Sequence, residues 1–435
     1  MNAIYWFRND LRLIDQPSLN RACALADAVA PVFIHPVDSH TAWGFERIGP
    51  HRKHARRAAV LALKRQLIES GSDLFEYSGD PCDTLIRLAH TWHIQTIFCE
   101  EIAAPEEQRQ IERLRLAGLT VVTTWHSSLL DIEDLPFEMK HLPLVFTDFR
   151  KAVENAKMKV RSPENFVRYT TPLPAEVTHP QLAMAECQPL DSWDTRTSIP
   201  YFQEPEFAGT AFGLKHIQQY FDRKLAHDYK STRNQLTGID YSTKFSVWLA
   251  SGAVSARGIF EKLQEFEHDH GANDGSYWIW FELLWRDYFR FLHQRFGTQL
   301  YRRSGLRGTG QARPGGAVIK TSAQFEKFER WCQGNSGEAF VDAGMRELRQ
   351  TGYLSNRMRQ VTASYLVYAL GLDWRAGAAW FESQLIDYDV YSNQGNWLYL
   401  AGCGTDPRGG RAMRPDKQAL EHDRLETYRK KWGTL

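Results

Sequence analysis

No two cysteines in the chain lie close together: Cys23, Cys82, Cys99, Cys187, Cys332 and Cys403 are widely separated, with no CxxC among them. That spacing argues against both a disulfide framework and a zinc site, and it fits a reducing cytosol. No window approaches the roughly 18 consecutive apolar residues of a membrane span. The opening MNAIYWFRND also lacks the basic-then-apolar order of an export signal. A cytoplasmic protein outside the membrane is expected. An excess of one charge is missing too, since the net charge is only +1, which argues against a protein that coats a polyanion. Finally, no GxGxxG follows the first apolar stretch. AIYWF (Ala3 to Phe7) runs straight into Arg8-Asn9-Asp10, so the usual dinucleotide fingerprint is absent and the fold alone does not imply NAD.

What is present is a globular composition, 43% hydrophobic and 24% charged, in a chain of 435 residues that is too long for one ordinary core. Residues 1–135 alternate in a βα rhythm. AIYWF, DAVAPVFIH, DLFEYSG, TIFCE and LTVVTTW read as strands, with helical periods over 52–70, 83–92 and 106–117. The pattern predicts a Rossmann-like α/β domain whose parallel sheet is covered on both faces. Residues 136–200 are rich in proline (Pro136, Pro143, Pro163, Pro172, Pro174, Pro180, Pro189, Pro200) and read as a long surface connector. From 201 to 435 apolar residues recur at three and four, as in YWIWFELLWRDYFRFLHQRF, which predicts an all-α domain.

The near-neutral sum hides an asymmetry. Residues 1–135 carry 14 Lys+Arg against 18 Asp+Glu, and the remainder 39 against 34. The distal excess gathers in glycine-bearing loops, at Arg302, Arg303, Arg307 and Arg313 and again at Arg408, Arg411 and Arg414. Such loops suit phosphate contacts, or they are simply solvated. The helical region also holds Trp278, Trp280, Trp285, Trp331, Trp374, Trp380 and Trp397 within 120 residues. Most of these are packing. Trp285, however, follows Glu282 by three, which puts an indole and a carboxylate on one helix face. Ser242, Thr243 and Ser246, with Lys244 among them, offer hydroxyls, N–H groups and charge at a helix start; they suit a pyrophosphate or a plain N-cap. Asp387 and Asp389 either end a helix or do chemistry.

Three segments bring these residues together: DYSTKFS (Asp240 to Ser246), ELLWRDY (Glu282 to Tyr288), and the run from Asn356-Arg-Met-Arg359 through WFESQLIDYDVYSNQGNW to Trp397. With AIYWFRNDLR at the start and KQAL near the end, they resemble the photolyase and cryptochrome family over essentially the whole chain. VFTDFRKAVEN, TRNQLTGIDYSTKFS and WFESQLIDYDVYSN look specifically like the DASH cryptochromes.

The resemblance implies an FAD-binding helical domain. Tyr229, Ser242, Thr243, Lys244, Phe245 and Ser246 would lie at the FAD phosphates, with Glu282, Arg286, Asn356, Arg359, Asp387, Asp389 and Asn393 as further FAD contacts, Arg359 pairing with Asp387. Asn393 matches the residue facing flavin N5, where plant signalling cryptochromes carry an aspartate and many insect ones a cysteine, so the position leans towards repair. Trp397 and Trp374 match the first two members of the family's electron-carrying tryptophan chain. The third would fall at Thr321, which leaves Trp380 or Tyr391 as candidate substitutes, or photoreduction impaired.

Glu282 and Trp285 match the residues that contact a cyclobutane pyrimidine dimer. Tyr399 stands where many dimer photolyases have a tryptophan, and Arg233, Arg286 and Arg357 fit DNA contacts. The histidine pair of (6-4) photolyases is absent from LSNRMRQ, where Asn356 and Gln360 stand instead. A methenyltetrahydrofolate antenna is implied at Glu101, Glu106 and Glu107, although glutamates also suit a helix N-terminus. The expected protein is a monomer that repairs dimers, preferably in single-stranded DNA, with no metal. The alternative is a blue-light receptor or DNA-binding regulator with little repair, against which the 38 residues after Trp397 leave no long signalling tail. A light-independent flavoprotein is the third and weakest reading.

Overall fold

The structure, a computed structural model, describes residues 1–37, 39–165, 177, 193–307 and 316–433. The five expected strands form as β1 (Asn2–Phe7), β2 (Ala28–His35), β3 (Phe75–Ser78), β4 (Thr96–Glu100) and β5 (Thr120–Thr124). They make one sheet in the order β3-β2-β1-β4-β5, every pair parallel. Side chains alternate between the faces of β1. Ile4 and Trp6 enter a core with Val32, Leu85 and Trp92, while Tyr5 and Phe7 enter one shared with Phe221, Trp248 and Ile259 of the helical region. Both faces are therefore covered, and the core on the second continues into the helical region.

Four helices serve the sheet: α1 (Pro17–Leu25), α2 (Pro50–Glu69), α3 (Pro81–Thr91) and α4 (Pro105–Leu116). Each begins on a proline, whose missing N–H costs nothing in a first turn and whose fixed φ suits it. The last three match the helical periods read from sequence. α1 was not anticipated, because PSLNRACAL buries only Ser18, Leu19 and Ala22 and so shows little periodicity.

The stretch expected as surface connector differs in its first part. Phe146–Asn155 is a helix, α5, with Phe146, Phe149 and Val153 buried. These three and Leu142, just before the helix, join the main helical core, because apolar residues at 142, 146, 149 and 153 form one helix-period stripe. Beyond residue 201 every described element is helical.

The two regions are fastened at the carboxyl end of the sheet. The Leu11 N–H donates to Ser251 O at 3.1 Å, and Arg12 Nη1 donates to Gly252 O at 3.0 Å. Gly252 has φ +72°, and a Cβ there would sit 2.0 Å from Asn9 O, so only glycine allows this approach.

Candidate functional site

A cavity of about 310 Å³ opens in the helical region, lined from all three sequence segments. Tyr229, Ser242, Thr243, Lys244, Phe245 and Ser246 are all among its lining. Ser246 starts the short helix Ser246–Ser251, as the sequence suggested. Lys244 is 2% exposed, and among the described residues its Nζ reaches only the neutral Ser198 and Tyr353 hydroxyls, each at 3.4 Å. It lies over the Tyr241 ring at 3.5 Å. Burial pushes its pKa well down, although the Glu347 carboxylate opposes this. A buried ammonium with neutral partners fits a phosphate ligand well.

Two ion pairs border the same cavity. Arg359 Nη2 donates to Asp387 at 2.8 Å, and Arg290 Nη2 to Asp389 at 2.7 Å. Asp389 also accepts from the Ser392 N–H at 2.7 Å, capping the helix Val390–Leu400. Burial would raise the Asp389 pKa, but Arg290 and Arg286 outweigh it and hold the carboxyl at about 2. Arg286, which also lines the cavity, makes no ion pair among the described residues and is pushed down to about 9 by burial and by Arg290, so this part of the lining favours negative charge. Asn393 Nδ2 donates to Ala378 O at 3.0 Å, and this anchors the amide while its oxygen remains available.

Glu282, Arg233, Asn356, Tyr399 and Arg411 also line the cavity. Glu282 is paired with Arg233; burial raises its pKa and Arg233 opposes that. Three expected residues do not line the cavity. Trp285 stands beside it, stacked on Phe146 at 3.7 Å between centroids with Tyr399 edge-on at 5.5 Å. Arg357 donates to Asn234 Oδ1 at 2.9 Å. Trp374 is wholly buried, its Nε1 donating to Arg303 O at 3.0 Å. Of the arginine loops, Arg303 and Arg307 bond the backbone of Gly316 and Asp406, Arg408 and Arg414 pair with Asp406 and Asp416, and Arg313 lies outside the described residues.

The rings packed against Trp397 are Trp331 at 6.5 Å and Phe381 at 5.1 Å. Thr321, where the family would place its outer tryptophan, is instead the N-cap of the helix Ser322–Gln333, in a capping box with Gln324. The candidate substitutes lie elsewhere. Tyr391 accepts from the Ala103 N–H at 2.8 Å and packs on His293, whereas Trp380 meets Phe45 at 5.1 Å.

A second cavity, about 190 Å³, lies at the carboxyl ends of β1 and β2, between the two regions. The chain reverses its strand order between β1 and β4, the place where parallel sheets bind ligands. Glu106 and Glu107 line this cavity with Arg8, Arg47, Arg52 and Arg56. Arg47 grips Glu106 at 2.6 Å and Glu382 at 2.8 Å. Arg56 makes no ion pair among the described residues, and burial with Arg52 and Arg47 pushes it down to about 9. Burial raises Glu107. Glu101 is outside the cavity, accepting from Gln294 Nε2 at 3.1 Å.

Sequence reasoning missed Arg290, Tyr353 and the four arginines of the second cavity. Arg290 had a signal, one turn beyond Arg286 on the helix Asp274–Phe296. Of the four arginines, Arg52 and Arg56 share one face of α2, but Arg8 and Arg47 come from outside it, and nothing in the sequence showed that all four meet.

Behind Lys244, Glu347 is buried and accepts from the Tyr428 hydroxyl, and burial pushes it up to about 7. Its folded pKa exceeds the unfolded value of about 4.3. Its contribution is therefore complete below pH ~4.3 and is lost as pH rises through 7. Glu347→Gln is expected to raise unfolding stability by about 1–3 kcal/mol at pH 8 and to do little at pH 4. Urea titration at both values checks it, and an equal effect at both would count against the assignment.

Comparison with known proteins matches residues 3–175 to the DNA photolyase family and residues 278–433 to the FAD binding domain of DNA photolyase. The chain is 39% identical to a cryptochrome DASH of Synechocystis sp., covering 99% of this chain and 87% of that protein. It is likewise 39% identical to a cryptochrome DASH of Xenopus laevis, covering 98% and 81%. A crystal structure of a Synechocystis sp. cryptochrome superposes with a TM-score of 0.90 at 37% identity, over 99% of this chain and 88% of that one.

Proposed function

The chain belongs to the photolyase and cryptochrome family, in the company of the DASH cryptochromes, and from that premise we propose that it is a light-driven lyase that splits cyclobutane pyrimidine dimers, preferably in single-stranded DNA. The observation that carries the reading is the cavity wall, where Glu282, Asn393 and the Arg359–Asp387 pair face one space that opens beside Trp285 and Tyr399. Bound FAD would supply the chemistry, an electron lent under light to the dimer and recovered once the ring has split.

The chain's own residues do the rest. Lys244, Ser242, Thr243 and Ser246 supply cation and donors for the pyrophosphate. The Arg359–Asp387 and Arg290–Asp389 pairs form a desolvated wall that stays put because each charge is satisfied. The Asn393 amide, fixed through Ala378 O, presents an acceptor suited to a protonated N5. Glu282 offers a carboxylate to the base edge, while Arg233 and Arg411 favour the approaching phosphates. A lesion must leave the stack to enter, and a damaged or single-stranded site does so at lower cost. Tyr399 in place of a tryptophan gives a smaller clamp, which suits a strand already unpaired.

For the antenna, the lining of the second cavity suits methenyltetrahydrofolate, for which Glu107 would offer an acceptor and Arg56 a cation. A monomer in the cytoplasm completes the reading; among the described residues no helix is long and apolar enough to cross a membrane.

Fully reduced protein is expected to restore thymines in irradiated single-stranded oligonucleotides under near-UV light and not in the dark, as scored by chromatography of the strands. If dimers persist in every strand form while light alters DNA affinity, the protein is a receptor or regulator instead.

A further inference from the structure

Trp285 has a neighbour that the reading above does not use. Its indole lies almost parallel to the Phe146 ring, 11° between planes at 3.7 Å between centroids. Phe146 is 6% exposed and opens α5, in a stretch that reads from sequence as mere connector. Its ring is itself held edge-on by Phe281 at 5.2 Å and Tyr288 at 5.7 Å.

The segment around it is fastened to the helix that carries Trp285. The Tyr288 hydroxyl donates to Leu144 O at 2.5 Å, Arg295 Nη1 donates to Leu142 O at 2.5 Å, and Arg150 Nη1 donates to the Tyr277 hydroxyl at 2.7 Å. One face of the indole is thus covered by a ring that cannot easily move.

We propose that Phe146 is a positioning residue of the nucleic-acid site, backing Trp285 so that one indole face alone is offered to an extruded base. This rests on the stacking role proposed for Trp285. A tryptophan free to rotate would have to be ordered as the base arrives, whereas one already stacked has lost that freedom on folding. The backing also makes the platform one-sided. A base stacks opposite Phe146, and no second base can stack behind the indole. α5 is therefore part of the substrate site and not a spacer.

The test is dark binding of the flavin-loaded protein to a labelled single-stranded oligonucleotide, irradiated or not, followed by anisotropy. Phe146→Met keeps the volume and removes the ring; Phe146→Leu repeats the test should the first variant fold poorly. Affinity for the irradiated strand is expected to fall by about threefold to tenfold, the scale of one aromatic pair. Affinity for the undamaged strand and flavin content should not change, and Phe146→Tyr should restore the parent value. An unchanged lesion affinity, or an equal loss on both strands, overturns the proposal. Trp285→Ala separates the two levels. If it weakens lesion binding and Phe146→Met does not, only the backing role fails. If Trp285→Ala itself has no effect, the stacking reading has failed and takes this inference with it.

Discussion

Asp389→Ala is expected to lower the unfolding free energy by about 3–5 kcal/mol, the cost of stranding one member of a buried ion pair, and to yield protein largely devoid of flavin. Arg290, whose side chain is 3% exposed, would keep only neutral partners among the described residues, the Ser127 hydroxyl and Arg286 O at 3.4 Å each and the Tyr391 ring 4.7 Å from its guanidinium carbon, and Arg286 beside it would feel an uncompensated cation. The helix Val390–Leu400 would also lose the cap on the Ser392 N–H, which adds about 1 kcal/mol. Asp389→Asn separates the two effects, because the amide oxygen can still cap the helix while the charge is gone.

The sign of the pH dependence follows from the low folded pKa. At about 2 it lies below the unfolded value of about 3.9, so the carboxylate contributes about 2–3 kcal/mol above pH ~4. That contribution is lost as pH falls from ~4 through 2. The gap between parent and Asp389→Asn in urea unfolding should therefore be widest near neutrality and narrow below pH 4. A gap that widens on acidification would mean that Asp389 is not held ionised by Arg290.

The sheet was legible because each strand of the α/β region is a short apolar run set off by helical periods, a local pattern. α1 was not, since its nine residues bury too few side chains to show a period. The large cavity was legible for a related reason. Its wall is built from contiguous segments around 240–246, 282–288 and 356–397, each with a recognisable order of residues. The second cavity draws Arg8 from the end of β1, Arg47 from the approach to α2, Arg52 and Arg56 from α2 and Glu382 from far along the chain. Only folding puts them together. Thr321 shows the opposite case, in which the departure is plain in the sequence but its meaning, a helix N-cap, needs the structure. Phe146 stood inside a segment noted for its resemblance, yet nothing in its spacing reveals that its ring faces Trp285.

The second large effect is expected at Asp287, on the same helix as Arg290 but pointing to the other domain. Its side chain is fully buried and accepts the Leu129 N–H at 2.9 Å and the Leu130 N–H at 2.7 Å, tying the loop after β5 to the helix Asp274–Phe296. Asp287→Ala leaves two buried N–H groups unpaired, at about 1–3 kcal/mol each, so a loss of about 2–6 kcal/mol is expected. It should be accompanied by faster hydrogen exchange at Leu129 and Leu130. Asp287→Asn keeps one acceptor and should lose less. Burial pushes this carboxyl up to about 6, even against the two N–H donors. The folded pKa thus lies above the unfolded ~3.9, and its favourable contribution is complete below pH ~4 and lost as pH rises through 6. The deficit of Asp287→Asn should accordingly be larger at pH 4 than at pH 8, the reverse of the Asp389 variant. Two buried aspartates that differ in type of partner, one facing guanidinium and one facing amides, then pull stability in opposite directions with pH: an arginine pair selects the ionised carboxyl, whereas two neutral donors in a fully buried site do not repay its desolvation. If both variants shifted the same way with pH, partner chemistry would not be what sets these two groups apart.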